Sequence, residues 1–419
     1  MTDQLNGPNG AVFLVSAART PIGRFGGAFV ETPAVELGGV AIRAAVDRAG
    51  LPQEVPVDEV LMGQVLQAGV RQAPARQAAL RAGLPVTTSA TTINRVCGSG
   101  MKSIMLGAAE IRAGDAEVVV AGGMENMTLA PYLLQKARFG YRLGDGTIHD
   151  AAIHDGLWCA IDDCHMGTHA ERVAAARHVS RADQDEFALA SHRKAIAAID
   201  EGRFEQEITA VTTRDAKGRE TTVATDENPR RDTSLELLAK LRPAFDLPDP
   251  DPDDPLFAGA TLTASVTAGN APGLTDGAAA TVVASERAVE RYGLKPLARI
   301  IGYAQAEVEP KWLFLAPVEG VRKLLNRIEM PLEAFDLIEI NEAFAAQALA
   351  DGRELGFDWD RVNVNGGAIA LGHPIGASGA RIVATLLHEL RRRDGRYGLA
   401  TLCLGGGGSV AMAVERVAA

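Results

Sequence analysis

The feature that most constrains this 419-residue chain is an order of elements that occurs once near each end. Thr91 to Val96 reads as a strand running into Cys97, and Gly98-Ser99-Gly100 opens a helix to about Gly114. The apolar strand Glu117 to Ala121 then stops at Gly122-Gly123. Towards the C-terminus, Val362 to Val364 is strand-like and glycines surround His373. A helix spans about Ser378 to Arg393, and the strand Leu399 to Leu404 ends in Gly405 to Gly408. Strands alternating with helices predict an α/β fold of packed layers. The internal similarity predicts two related halves, each presenting reactive side chains at strand-to-helix turns.

The remaining stretches fit that frame. Val12 to Val15 and Glu59 to Gly63 are short apolar runs of strand length, while Val35 to Ala49 and Gln72 to Ala82 have helical spacing. From Thr128 to Asn270 the composition shifts to mixed helices, such as Ser180 to Glu201, and polar loops. Asp246 to Pro255, reading DLPDPDPDDP, is a solvated surface excursion in which prolines forbid a regular element. A chain of this length is expected to form two or three packed units.

Charge and apolar content exclude several functions. A net charge of −11 argues against a nucleic-acid partner and requires any anion site to be local. No apolar run reaches the roughly 20 residues that span a bilayer. The first ten residues, MTDQLNGPNG, have no basic region or apolar core, and Val417-Ala418-Ala419 is no peroxisomal address. Four cysteines do not make a disulfide framework. A cytoplasmic protein with reduced thiols is expected.

Four side chains stand out. Cys97 lies at the apparent start of a helix, where unpaired N–H groups and the dipole favour a thiolate; a buried cysteine is otherwise usually an inert small hydrophobe. Cys403 closes a strand before four glycines and, taken alone, reads as core. His373 sits between Gly372 and Pro374 in a stretch with little to pack against. Asn341 follows the apolar run Phe335 to Ile340, where a helix cap is the competing explanation. Cys159, Cys164, His165 and His169 form a further cluster. The four-residue gap between its cysteines and the lack of a second matching pair argue against zinc, so no metal is expected.

In this order, NRVCGSGMKS, GGMENM, HMGTHAE, KLRPAF, VTAGNAPG, DGAAA, NEAFA, NGGAIALGHPIGASGAR and CLGGGG resemble the thiolase family over Val12 to Val414. The resemblance implies two α/β halves stacked as α-β-α-β-α plus a loop domain. The N-terminal half would comprise residues 1–127 and 275–295, the loop domain 128–274 and the C-terminal half 296–419. It implies Cys97 as the nucleophile, His373 as its base, Cys403 as the second acid/base, and a water on Asn341 that joins His373 in holding an enolate oxygen. The N–H groups of Cys97 and Gly405 would form a second oxyanion hole. Coenzyme A is implied as substrate, with no tightly bound cofactor. Leu157, His165, Met166, Arg230, Leu241, Phe245 and Ala268 would line its nucleotide and pantetheine, and Ala343 and Phe344 the acyl end.

The expected reaction is reversible condensation of two acetyl-CoA to acetoacetyl-CoA. The alternative is a degradative 3-ketoacyl-CoA thiolase for longer chains. A decarboxylating condensing enzyme would need a second catalytic histidine, and the intact cysteine pair speaks against a relative that only binds. Pro272 replaces a serine that contacts the cofactor in many biosynthetic members. Lys311 to Pro317, KWLFLAP, replaces a small glycine-containing run near the acyl pocket. The resemblance also implies a homodimer or homotetramer, with Thr128 to Leu143 similar to the loop that joins dimers.

Overall fold

The computed structural model describes residues 10–52, 55–214, 217–249 and 262–418. Its principal strands are β1 (Val12–Arg19), β2 (Glu59–Gly63), β3 (Ser89–Ile93), β4 (Val118–Asn126) and β5 (Thr275–Ser285), then β6 (Ala298–Glu307), β7 (Leu337–Ile340), β8 (Tyr397–Leu404) and β9 (Gly408–Arg416). The helices that position the site are α1 (Ala34–Ala49), α2 (Ser99–Ala113), α3 (Met166–Ala176), α4 (Arg181–Asp200), α5 (Ala316–Ile328), α6 (Ala345–Leu355) and α7 (Ile375–Arg393).

The strands run β7-β8-β9-β6-β1-β5-β4-β2-β3 across one sheet, with Gly23–Arg24 added to β5. Its middle is thin: β1 and β6 pair only at Phe13–Arg299 and Leu14–Ala298. On one side of that seam the order is β1-β5-β4-β2-β3, paired antiparallel, antiparallel, parallel, parallel. On the other side β6-β9-β8-β7 repeats the same senses. Val362, in a single parallel bridge to Ile338, occupies the fifth place. The repeat read from the ends of the chain is therefore a repeat of strand order and sense.

Side-chain alternation along the strands separates the layers. Val119 and Ala121 of β4 share one core with Ile104 and Ala108 of α2, Ile382 and Leu386 of α7, and Leu402 and Met412 of the second half. Val118 and Val120 face the other way, onto Leu37 and Ala41 of α1. Leu399, Ala411 and Ala413 face Val321 and Leu324 of α5. Helices thus cover both faces of each half-sheet, and α2 and α7 form the shared middle of an α-β-α-β-α stack. Burial on both faces explains why β4 is apolar without alternation.

The boundaries differ from expectation in three places. The strand expected over Thr91 to Val96 ends at Ile93, because the next three residues form the turn before Cys97. The helix expected from Ser378 begins at Ile375, directly after Pro374. The strand expected to stop at Gly122 continues to Asn126. A Cβ on Gly123 would clash with the Gly376 carbonyl oxygen, so glycine lets α7 rest on the strand. Of the Asp/Pro-rich excursion, residues 250–255 lie outside the described residues.

Candidate active site

Hydrogen bonds build the first reactive turn. Asn94 Oδ1 accepts the Val96 N–H at 3.0 Å. Ser99 Oγ accepts the Arg95 N–H at 2.8 Å and donates to the Val96 carbonyl at 2.6 Å. They hold Val96 at φ +48°, a left-handed conformation that a β-branched residue rarely adopts. Such strain persists where the surroundings over-determine it, and here it presents Cys97 ahead of α2. The backbone N–H groups of Gly405 and of Cys97 itself bear on the Cys97 sulfur and favour its charged form.

The second turn begins at Gly372, whose φ of +105° only glycine adopts freely. His373 follows, buried, with Nδ1 2.6 Å from Ser378 Oγ. That hydroxyl donates to the Pro374 carbonyl at 3.0 Å, so it accepts from Nδ1–H, and the lone pair is left on Nε2. Nε2 faces the Asn341 amide nitrogen at 3.4 Å. Asn341 directly follows β7, tied by its N–H to the Thr401 carbonyl at 3.0 Å. α6 starts later, with Phe344 at the cap position and no side-chain cap, so Asn341 is not a helix cap. Its Oδ1 is buried and has no protein donor among the described residues.

Burial sets the protonation states. It pushes the Cys97 thiol up to about 11 against the pull of the two N–H groups. Cys403 is raised well above its ordinary value by burial, then by Cys97 and Asp351. Burial and then Arg381 lower His373 to about 3. The thiolate expected at Cys97 is therefore not the resting form. α2 begins at Ser99, with Gly98 as its cap, so the sulfur lies short of the helix and desolvation outweighs the N–H groups. The resting set is two thiols and a neutral imidazole.

Cys97 and Gly405, with His373 and Cys403, line one cavity of about 350 Å³. Sulfurs from the two halves, far apart in the chain, thus meet in one space. Leu157, His165, Met166, Phe245 and Ala268 also line it, as do Ala343 and Phe344, and Arg230 is exposed at its edge. Asn341 touches the group through His373. Leu241 does not line the cavity; it packs by Leu238 and Ile369, and its carbonyl accepts from Arg181 at 3.1 Å. Pro272 lines the wall, as do Leu313 and Phe314 of the bulky segment. A chain of ring contacts follows, with centroids 4.7 Å apart for His165–Phe245, 5.9 Å for Phe245–Phe344 and 5.2 Å for Phe344–Phe314.

Sequence reasoning missed the residues that position these groups. Ser378 is one helical turn past Pro374, a spacing that offered a signal. Buried Glu342 accepts from Ser191 at 2.7 Å, Asn363 at 2.9 Å and the Ile369 N–H at 3.1 Å, fixing the turn after Asn341. Buried Glu125 accepts from Val65, Leu66 and Gly376, and so holds the first turn of α7. Neither carboxylate has a local pattern that foretells it. Cys159, Cys164 and His169 lie outside the cavity lining.

The chain matches the family model described as thiolase, N-terminal domain, over residues 12–287 and that described as thiolase, C-terminal domain, over residues 294–416. It is 53% identical to an acetyl-CoA acetyltransferase of Pseudomonas aeruginosa over 97% of this chain and 99% of that protein. It is 52% identical to one from Cupriavidus necator with the same coverage. The crystal structure of the Bacillus anthracis acetyl-CoA acetyltransferase superposes with a TM-score of 0.91 at 44% identity, covering 97% of this chain and 99% of that one. With both domains matched and the layered fold shared, the chain belongs to the thiolase family of acyltransferases.

Proposed function

We propose that the protein is an acetyl-CoA acetyltransferase, condensing two acetyl-CoA to acetoacetyl-CoA and CoA through an acyl-cysteine. The observation that carries this reading is the meeting of Cys97, two N–H donors, a lone-pair Nε2 and a second thiol around one cavity. Cys97 attacks the thioester carbonyl and passes its proton to His373 Nε2. The N–H groups of Cys97 and Gly405 hold the oxyanion, an interaction whose loss typically costs about 10²–10³ in rate. Cys403 protonates the departing CoA sulfur and is left as the thiolate. That thiolate then takes the α-proton of the second acetyl-CoA. Protonated His373 and a water on Asn341 Oδ1 hold the enolate oxygen. The carbanion attacks the acetyl group, and the released Cys97 sulfur recovers its proton from His373.

Coenzyme A enters as substrate, along the wall formed by Leu157, His165, Met166, Phe245 and Ala268. Arg230 gives local positive charge at the edge. The chain divides as 1–127 with 275–295, 128–274, and 296–419, in keeping with the seam between β1 and β6. Self-association to a homotetramer is supported by the exposed Tyr132, Phe139 and Leu143 on the loop that follows β4. Among the described residues no helix is long and apolar enough to cross a membrane. A set of working thiols suits the reducing cytoplasm.

Radiolabelled acetyl-CoA tests the assignment. Wild type and Cys403→Ala should become labelled, Cys97→Ser should not, and only wild type should release acetoacetyl-CoA. Label on the Cys97→Ser protein would remove the nucleophile. A preference for 3-ketohexadecanoyl-CoA over acetoacetyl-CoA would favour the long-chain alternative.

A further inference from the structure

The hairpin that carries Leu157 and His165 to the cavity wall also gathers a second set of donors. Its two strands, Trp158–Cys159 and Cys164–His165, pair antiparallel with Cys159 opposite Cys164. His169 stands on the first turn of α3, and Asp162 on the loop between the strands. Cys159 Sγ, an Asp162 carboxylate oxygen and a His169 ring nitrogen lie within 4.8 Å of one another. Asp162 Oδ2 is 3.8 Å from Cys159 Sγ and 3.5 Å from His169 Nε2. Cys164 Sγ approaches the same Nε2 at 3.5 Å. All four cysteines of the chain are free thiols.

We propose that Cys159, Asp162 and His169, whose donor atoms already cluster, form a structural site for a divalent transition metal, zinc by the chemistry of its donors, with Cys164 turning in from beside His169 as the fourth ligand. Metal–sulfur distances of about 2.3 Å and metal–nitrogen or –oxygen distances of about 2.0–2.1 Å set tetrahedral donor-to-donor edges of about 3.3–3.8 Å. The three separations above match those edges. The Asp162–His169 separation is long for a hydrogen bond between nitrogen and oxygen, which closes at about 2.7–3.2 Å, while the two sulfur contacts suit a thiol hydrogen bond as well as a metal edge. The Asp162 N–H donates to Cys159 Sγ at 3.4 Å, the kind of supporting contact that orients a metal thiolate. Asp162 Oδ2 and Cys164 Sγ both approach His169 at Nε2, and Nδ1 has no hydrogen-bond partner among the described residues. That leaves Nε2 as the coordinating nitrogen.

Burial distinguishes the cluster from a surface coincidence. The His169 side chain is 1% exposed and Asp162 30%, and Cys159 is buried. Two thiolates, one carboxylate and a dication sum to one negative charge, and Arg172, three residues along α3 from His169, bears electrostatically on both Cys164 and His169. Binding releases the two thiol protons. Four protein donors leave no open position, which makes the site a brace rather than a catalyst. It ties the hairpin to α3 and so fixes Leu157 and His165 against the coenzyme. Cysteine and histidine spacing alone speaks against zinc, and Asp162 supplies the donor that such spacing leaves out.

The test measures metal content of the full chain purified without chelator. One zinc per chain is expected, retained in Cys97→Ser and lost in both Cys164→Ser and Asp162→Asn. The Cys97→Ser arm separates this site from the thiols of the cavity. Metal-free wild type titrated with cobalt(II) should develop the visible absorption of tetrahedral thiolate coordination, a readout independent of whether any variant folds. The proposal is overturned if wild type takes up neither metal, or if Cys97→Ser loses the ion. Mass spectrometry that finds Cys159 joined to Cys164 as a disulfide in the native protein would overturn it too. None of these readouts depends on the acyl-transfer reading.

Discussion

The 2.6 Å contact between His373 Nδ1 and Ser378 Oγ decides which imidazole nitrogen faces the thiols. Because Ser378 spends its proton on the Pro374 carbonyl, it can only accept from Nδ1–H. Removing the hydroxyl frees the ring to adopt the other tautomer and leaves a buried donor unpaired, at about 1–3 kcal/mol. Ser378→Ala is expected to lower kcat for acetoacetyl-CoA thiolysis by about 10–100-fold, the usual scale for losing a partner that orients a histidine. KM should change less than kcat. Steady-state kinetics of the variant checks the split, and an equal loss in both would assign Ser378 a merely structural part.

On the proposed mechanism, Asn341 serves one half-reaction only. Its amide nitrogen meets His373 Nε2, and its buried Oδ1 is left to hold a water against the enolate oxygen. Asn341→Ala should therefore slow condensation by about 10²–10³-fold, as for other lost oxyanion donors. Acetyl labelling of Cys97 should persist at nearly the wild-type rate. Rapid-quench measurement of labelled protein and of acetoacetyl-CoA separates the two steps. A matching drop in labelling would place Asn341 in the first half-reaction instead.

The parts of the fold visible in the sequence were those written locally. Helical spacing marked Val35 to Ala49, and the apolar run Glu117 to Ala121 marked the middle of a strand. Cys97, His373 and Cys403, which the fold brings to one cavity, stood out because cysteine and histidine beside glycine are unusual surroundings. What supports them was hidden, because Glu342 and Glu125 bond to groups far off in the chain. Their meaning exists only once α4, α6 and α7 have packed. The Cys97 thiol was misjudged for a related reason: a helix start is read locally, whereas desolvation depends on residues from both halves. Leu241 packs by Leu238 and Ile369 rather than along the cavity lining, a direction that no motif specifies.

Phe314 comes from the bulky segment and meets Phe344 with centroids 5.2 Å apart at the wall of the cavity. Truncating it lengthens the acyl space. Phe314→Ala should raise kcat/KM for 3-ketohexanoyl-CoA relative to acetoacetyl-CoA by about 10-fold or more, since each methylene accommodated in an apolar pocket is worth about 1–3 kcal/mol. Phe314 is 2% exposed, so the same change should cost about 3–5 kcal/mol of stability. Comparing the two substrates on folded variant protein is the check. An unchanged ratio would show that the ring does not limit chain length.

His373 also links stability to pH. Burial lowers its pKa from 6.5 to about 3, so the unfolded chain binds the proton first. Its contribution is thus fully present above about 6.5 and is lost as pH falls from 6.5 towards 3. At pH 5 the native state forgoes a proton worth about 2 kcal/mol to the unfolded chain, taking 1.36 kcal/mol per pKa unit. His373→Asn removes the titrating group without a large change in volume. Relative to wild type, it should therefore gain about 2 kcal/mol between pH 7.5 and pH 5. Urea denaturation of both proteins at the two pH values measures this difference. A constant gap would mean that His373 is already protonated in the folded protein at pH 5, and a histidine in that state could not accept the Cys97 proton.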